Sequence, residues 1–130
     1  MLDFSKIRIG SEYDRKWLAR HWGYAAYQAI GRGVFCPRGG GQLLLFVTKE
    51  KRKGEEQYKN DLRGDRLSWE GELKHRNDDR IERTKQSGEA IHLFYRDKHR
   101  DDFEYKGLVK LLTSVRLTKK PSEFVFEILR

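Results

Sequence analysis

A tryptophan set among carboxylates is the grouping in this sequence with the most specific chemistry. Leu67-Ser68-Trp69-Glu70-Gly71-Glu72 puts an indole beside two acids, with a glycine between them. An indole can stack on a nucleobase while a carboxylate accepts a hydrogen bond from an exocyclic amine on the base edge. Tyr13, Trp17, Trp22, Tyr24 and Tyr95 offer further stacking faces. Aromatic side chains of a small domain mostly pack in its core, so stacking is expected of only a few of them.

The second grouping is cationic. Lys49-Glu50-Lys51-Arg52-Lys53-Gly54 sets four cations against one anion directly after an apolar run. At a strand end, such a cluster can track phosphates and release their counterions; otherwise it is a solvated loop.

A hydrolytic reading exists as well. Asp61 or Asp65, then Glu72-Leu73-Lys74, has the spaced Asp and Glu-x-Lys of restriction-type metal nucleases. There, carboxylates hold a divalent ion and the lysine orients the attacking water. Acid-x-Lys recurs at Asp14-Arg15-Lys16 and Glu104-Tyr105-Lys106, and with 37% charged residues such matches arise by chance. His21, His75, His92 and His99 have no recognised metal-ligand spacing. His75-Arg76-Asn77 is like a His–Asn nuclease fragment but lacks its partner histidine. No glycine-rich loop precedes a helix and no nucleophile elbow is present. Neither a metal nor a cofactor is expected.

Composition narrows the class. At 130 residues the chain has the length of one domain, expected to span 1–130. Sixteen aromatics (3 Trp, 6 Tyr, 7 Phe) supply more core material than a disordered chain carries. The formal charge is +8: +4 over 1–48, +2 over 49–66, −1 over 67–89 and +3 over 90–130. That excess, with no basic tail, favours a polyanionic partner such as nucleic acid. No apolar stretch is long enough to cross a bilayer and residues 1–10 lack a signal-type apolar core, so a cytoplasmic protein without membrane contact is expected. The single cysteine, Cys36, forms no intrachain disulfide and reads as a buried thiol.

The elements that must position these groups follow from periodicity. Ser11 and Asp14 match a capping box, and Leu18, Trp22, Ala25, Ala26 and Ala29 recur at helical spacing, predicting a helix over about 12–30. Val34–Cys36 reads as a short strand, closed by Pro37 and the Gly39-Gly40-Gly41 turn. Residues 42–48 enclose the continuous apolar run Leu43-Leu44-Leu45-Phe46-Val47, whose length suits a strand buried on both faces. Residues 49–64 read as a charged loop, 67–73 as a strand, and 77–87 as a short helix capped by Asn77 or Asp78. Three more strands are predicted at 91–96, 103–112 and 124–129. Several strands with one main N-terminal helix, and no regular βαβ alternation, predict an α+β fold: a small curled β-sheet or barrel.

Taken in order, several segments resemble a known family. They are residues 9–15 (Ile-Gly-Ser-Glu-Tyr-Asp-Arg), 33–35, 45–49 with Lys51, 58–60, 67–72, 91–96 and 103–107. Over roughly residues 9–112 the chain resembles the C-terminal domain of SauUSI-type helicase–nuclease restriction proteins, copies of which also accompany HNH nucleases. The resemblance implies an SRA/PUA-like reader of modified DNA, such as DNA carrying 5-methylcytosine. It implies a domain that does not cut by itself, with a nuclease or helicase domain in the same or a partner chain. By position, Trp69, Glu70, Gly71 and Glu72, together with Tyr13 and Tyr95, would lie at the modified base. Arg15, Lys49, Lys51, Arg52, Lys53, Arg76 and Arg96 would meet the DNA backbone. Gly71 and Glu72 depart from the family pattern, where Ser and Gln are usual, which leaves the identity of the mark open. The alternatives are the small metal nuclease above and a basic module for RNA or a protein.

Overall fold

The apolar run at 43–47 lies inside one of the central strands of the molecule. In a computed structural model describing residues 2–50, 60–71 and 75–129, the strands are β1 (Glu12–Tyr13), β2 (Val34–Phe35), β3 (Gln42–Glu50), β4 (Asp61–Arg63), β5 (Arg66–Glu70), β6 (Ala90–Lys98), β7 (Phe103–Val115) and β8 (Glu123–Ile128). The helices are α1 (Arg15–His21) and α2 (Asp78–Ser87), with a 3₁₀ turn at Tyr27–Ile30. All eight strands join one sheet in the order β2-β3-β6-β7-β8-β5-β4, with β1 paired to β7. The sheet is α+β in class and open, because its two edge strands, β2 and β4, do not pair with each other.

The curl is visible in the core. Val34 at one edge packs in the same apolar cluster as Leu67, one strand from the other edge. Across the remaining gap, Asn60 Nδ2 donates to the carbonyl of Thr48 at 3.1 Å, tying the start of β4 to β3. One pairing departs from the sequence expectation: β3 and β6 run parallel. The chain between them passes through β4, β5 and α2, so a long crossover exists although no regular βαβ pattern announces it.

Both faces of the central strands are covered, which is why β3 reads as a continuous apolar run. Leu43, Leu45 and Val47 point into a core shared with Ile81 of α2, Leu67, Trp69, Phe124 and Phe126. Leu44 and Phe46 point the other way, into a core with Leu18 of α1, Ile30, Phe94, Phe103 and Tyr105. Strand β7 serves both cores through a bulge. Leu93 faces Gly107 and Phe94 faces Tyr105, so Lys106 is the extra residue, and Gly107 takes φ +95. One inserted residue flips the side-chain parity. Phe103 and Tyr105 therefore face α1, whereas Val109 and Leu111 face α2.

The long N-terminal helix is shorter than its periodicity predicts. Asp14, not Ser11, is the cap, its Oδ1 accepting from the Trp17 N–H at 2.6 Å. The helix ends at His21, and Gly23 follows at φ +83. Ala25, Ala26 and Ala29 are exposed, so three alanines at helical spacing buried too little to extend it. Helix α2 fits its prediction. Asn77 holds the cap position without a side-chain cap bond, and Gly88 closes the helix at φ +71.

Candidate nucleic-acid interface

Two arginines far apart in the chain meet at the end of the sheet. Arg15 opens α1, and its guanidinium carbon lies 5.0 Å from the ring centre of Phe46 and 4.9 Å from that of Phe103. Arg96 sits near the end of β6, its guanidinium 4.1 Å from the centre of the same Phe103 ring. It is held there from three sides. Nε donates to Thr48 Oγ1 at 2.8 Å, Nη1 donates to the carbonyl of Asp101 at 3.1 Å, and Nη2 lies 3.5 Å from His99 Nδ1. Strand parity explains the placement: Tyr95 points into the α2-side core, so its neighbour Arg96 must point to the α1 side.

The two sites differ electrostatically. Burial, then the nearby Arg96 charge, pushes Arg15 down to about 10, and it remains a cation at neutral pH. Among the described residues Arg15 has no ion pair or hydrogen bond, and its Nε is sealed from solvent without a partner. Arg96 is likewise lowered by burial, but Asp101 and Asp102 act against that shift. Between them opens a shallow depression of about 390 Å³, which Lys16, Tyr27, His99 and Arg100 also line.

Exposed aromatics continue this surface. Half-buried Tyr13 of β1 starts a ladder that continues on α1 through exposed Trp17 and half-buried His21, with ring centres 5.2 and 4.8 Å apart. Trp17 and Tyr27 are each 41% exposed, and Lys16 Nζ stands 5.6 Å from the Tyr27 ring centre. The four-residue spacing of Tyr13, Trp17 and His21 was visible in the sequence. Phe103 and Thr48, which hold the two arginines in place, carried no such signal.

The residues expected at the base are divided by the sheet. Tyr13 lies on the α1 side, half-buried, its hydroxyl accepting from the Arg8 N–H at 2.8 Å. Trp69 and Tyr95 lie in the α2-side core instead. Trp69 is 6% exposed, packed 5.8 Å from Phe124 and 6.3 Å from Phe126, which leaves little ring surface for a base. Burial raises the phenol of Tyr95, and the nearby Asp97 and Asp61 charges push it the same way. Glu70 is half-buried and stands opposite Glu123 of β8. Gly71 is pinned, its N–H donating to the Ser122 carbonyl at 2.7 Å. A Cβ on Gly71 would come within 2.9 Å of Phe124 Cε2 and 3.0 Å of Asp78 Oδ1, so the serine of the family pattern does not fit here.

Of the expected backbone contacts, Arg15 and Arg96 come together, and Lys49 is exposed one residue beyond Thr48. Arg76 is exposed just before α2, an element on the opposite face of the sheet from α1. Lys51, Arg52, Lys53 and Glu72 lie outside the described residues, as does Lys74. Of the nuclease candidates, Asp61 is paired with Arg63 at 2.6 Å. No cluster of potential metal ligands occurs among the described residues. His75, Asp78 and Ser122 approach one another, but both partners address the same Nδ1, at 2.7 and 3.4 Å, which is not the geometry of a nucleophile relay. Cys36 is half-buried, its thiol 3.5 Å from Asn77 Oδ1. Among the described residues no helix is long and apolar enough to cross a membrane.

This architecture recurs in a solved structure. The SRA domain of SUVH5, in a crystal structure of its complex with methylated CHH DNA, matches 99% of this chain and 93% of its own at a TM-score of 0.58. The fold is SRA-like. Sequence identity is 10%, so the likeness is one of architecture. No protein-family model matches the chain, and no curated protein sequence does. Of the curled sheet or barrel expected from the sequence, the structure has the open curled sheet, in an SRA-like arrangement with the paired arginines at one end of it.

Proposed function

We propose that this SRA-like chain is a reader of modified duplex DNA. The observation that carries the reading is the shared fold over nearly the whole chain with a domain crystallised on methylated DNA. The charge of +8 and the cationic, aromatic surface around Arg15 and Arg96 support it, since phosphate neutralisation supplies much of the affinity of such modules.

In this reading Arg15, Arg96 and Lys49 meet the backbone, joined by Lys51, Arg52, Lys53 and Arg76. The mark is read by the segment Trp69-Glu70-Gly71-Glu72 with Tyr95, while Tyr13, across the sheet from Trp69 and Tyr95, joins the backbone contacts. Trp69 acts there from the core, fixing the segment from behind, because its ring is buried. Extruding a base costs a few kcal/mol in stacking and pairing, which contacts in the reading site must return. A methyl group adds only about 0.8 kcal/mol on burial, so discrimination beyond a few-fold requires a shaped pocket. The motif order shared with SauUSI-type proteins supports a place in a modification-dependent restriction system, where a nuclease or helicase domain does the cutting.

The test is a gel-shift titration at two salt concentrations, with Mg²⁺ present. One duplex carries cytosine, 5-methylcytosine, 5-hydroxymethylcytosine or a phosphorothioate link in turn. The expected result is a preference of about tenfold, 1.4 kcal/mol, for one mark, with the DNA intact. Equal binding to all four would refute the reader assignment, and Mg²⁺-dependent nicking would transfer the case to Asp61 or Asp65 with Glu72 and Lys74.

A further inference from the structure

Half-buried cations elsewhere in the molecule have carboxylate partners. Arg80 is paired with Glu89 at 2.8 Å and Lys106 with Glu104 at 3.0 Å. Arg15 lacks one among the described residues, and the charge that most affects it is another arginine. Taking a guanidinium partly out of water beside a like charge is unfavourable unless an anion completes the arrangement.

We infer that Arg15 and Arg96 together form a phosphate-binding site, in which a single phosphate group bridges the two guanidiniums beside Phe103. The guanidinium fork suits paired phosphate oxygens. Thr48 and the Asp101 carbonyl already fix Arg96, so the site is ordered before the anion arrives. Three carboxylates face the depression: Asp14, Asp101 and Asp102. The first is engaged by the Trp17 N–H and the second by the Lys98 N–H, while Asp102 offsets the Arg96 charge. Lys16 and Arg100 supply the remaining positive rim. The phosphate can be a backbone phosphodiester or a free phosphate ion. The first of these sources rests on the DNA-reading assignment, but the site itself does not.

The experiment compares the intact chain with Arg15→Gln, Arg96→Lys and the double variant Arg15→Gln/Arg96→Gln. One arm measures thermal unfolding in inorganic phosphate against chloride at matched ionic strength. The other measures the salt dependence of binding to an unmodified duplex. A free-phosphate site raises Tm by about 5 °C or more at 100 times its dissociation constant, and Arg15→Gln abolishes that rise. A phosphodiester site gives no such rise, but Arg15→Gln weakens duplex binding roughly tenfold or more. Its salt slope then falls by about one unit, and the double variant falls by about the same unit, because one phosphate is lost and not two. Arg96→Lys keeps the charge and the slope but loses affinity. A fall of about two units in the double variant, or no change in either arm, overturns the proposal. If the two-arginine signature appears while the unmodified duplex and the three modified ones bind equally, the site stands and the reader assignment fails.

Discussion

The two faces of one sheet have been finished in different ways. On the α2 side, two arginines are neutralised locally: Arg116 reaches Asp79 and Glu82, and Arg80 reaches Glu89. On the α1 side, Arg15 stands without a counterion among the described residues, beside exposed Trp17 and Tyr27. The same strand feeds both, since Tyr95 and Arg96 are consecutive residues of β6 with opposite directions. A face closed by apolar packing and ion pairs is stable by itself. A face with a cation that has no counterion suits an anion from outside the chain, so phosphate contact is best sought there.

The strongest way to break this comparison is to attack the α2-side core. Trp69→Ala is expected to cost about 3–5 kcal/mol, seen as a lower urea midpoint with an unchanged slope. A loss under about 1 kcal/mol would mean that the indole is available for stacking after all. Acid offers the next test, on the α1 side. His92 is 7% exposed, its Nδ1 is 2.7 Å from the Tyr105 hydroxyl, and burial pushes it down to about 4. The unfolded chain binds a proton there at higher pH than the folded one, so stability falls as pH drops from about 6.5 to about 4, by roughly 3 kcal/mol. His92→Gln should flatten that part of a stability–pH curve, and an unaltered curve would sink the assignment.

Smaller effects sharpen the contrast. Gly71→Ala is expected to destabilise by about 1–3 kcal/mol, because a methyl must displace Phe124 or Asp78; calorimetry would detect it. Asp14→Ala removes the α1 cap and should cost about 1 kcal/mol, with Arg15 less firmly placed as a consequence. Arg15→Gln in phosphate-free buffer should come out last, close to neutral, since relief of a desolvated charge beside Arg96 offsets the lost ring contacts with Phe46 and Phe103. A clear destabilisation in chemical unfolding would show that the guanidinium is a structural group.

Periodicity and residue type determined much of this protein from the sequence alone. The apolar run 43–47 suited a strand buried on both sides, and the segments at 103–112 and 124–129 read as two more strands. The charge excess and the cations themselves were equally legible. Tertiary structure decided what adjacency in the chain cannot express. The stripe over 12–30 implied a long helix, but exposed alanines and Gly23 at positive φ ended it at His21. Trp69 among acids suits a base and a core equally well, and only Phe124 and Phe126, brought alongside by β8, settle its burial. Arg15 and Arg96 were each recognisable as cations. Their meeting at Phe103 depends on the bulge at Lys106, which turns the first half of β7 toward α1, and a one-residue change of register leaves no mark in composition or spacing.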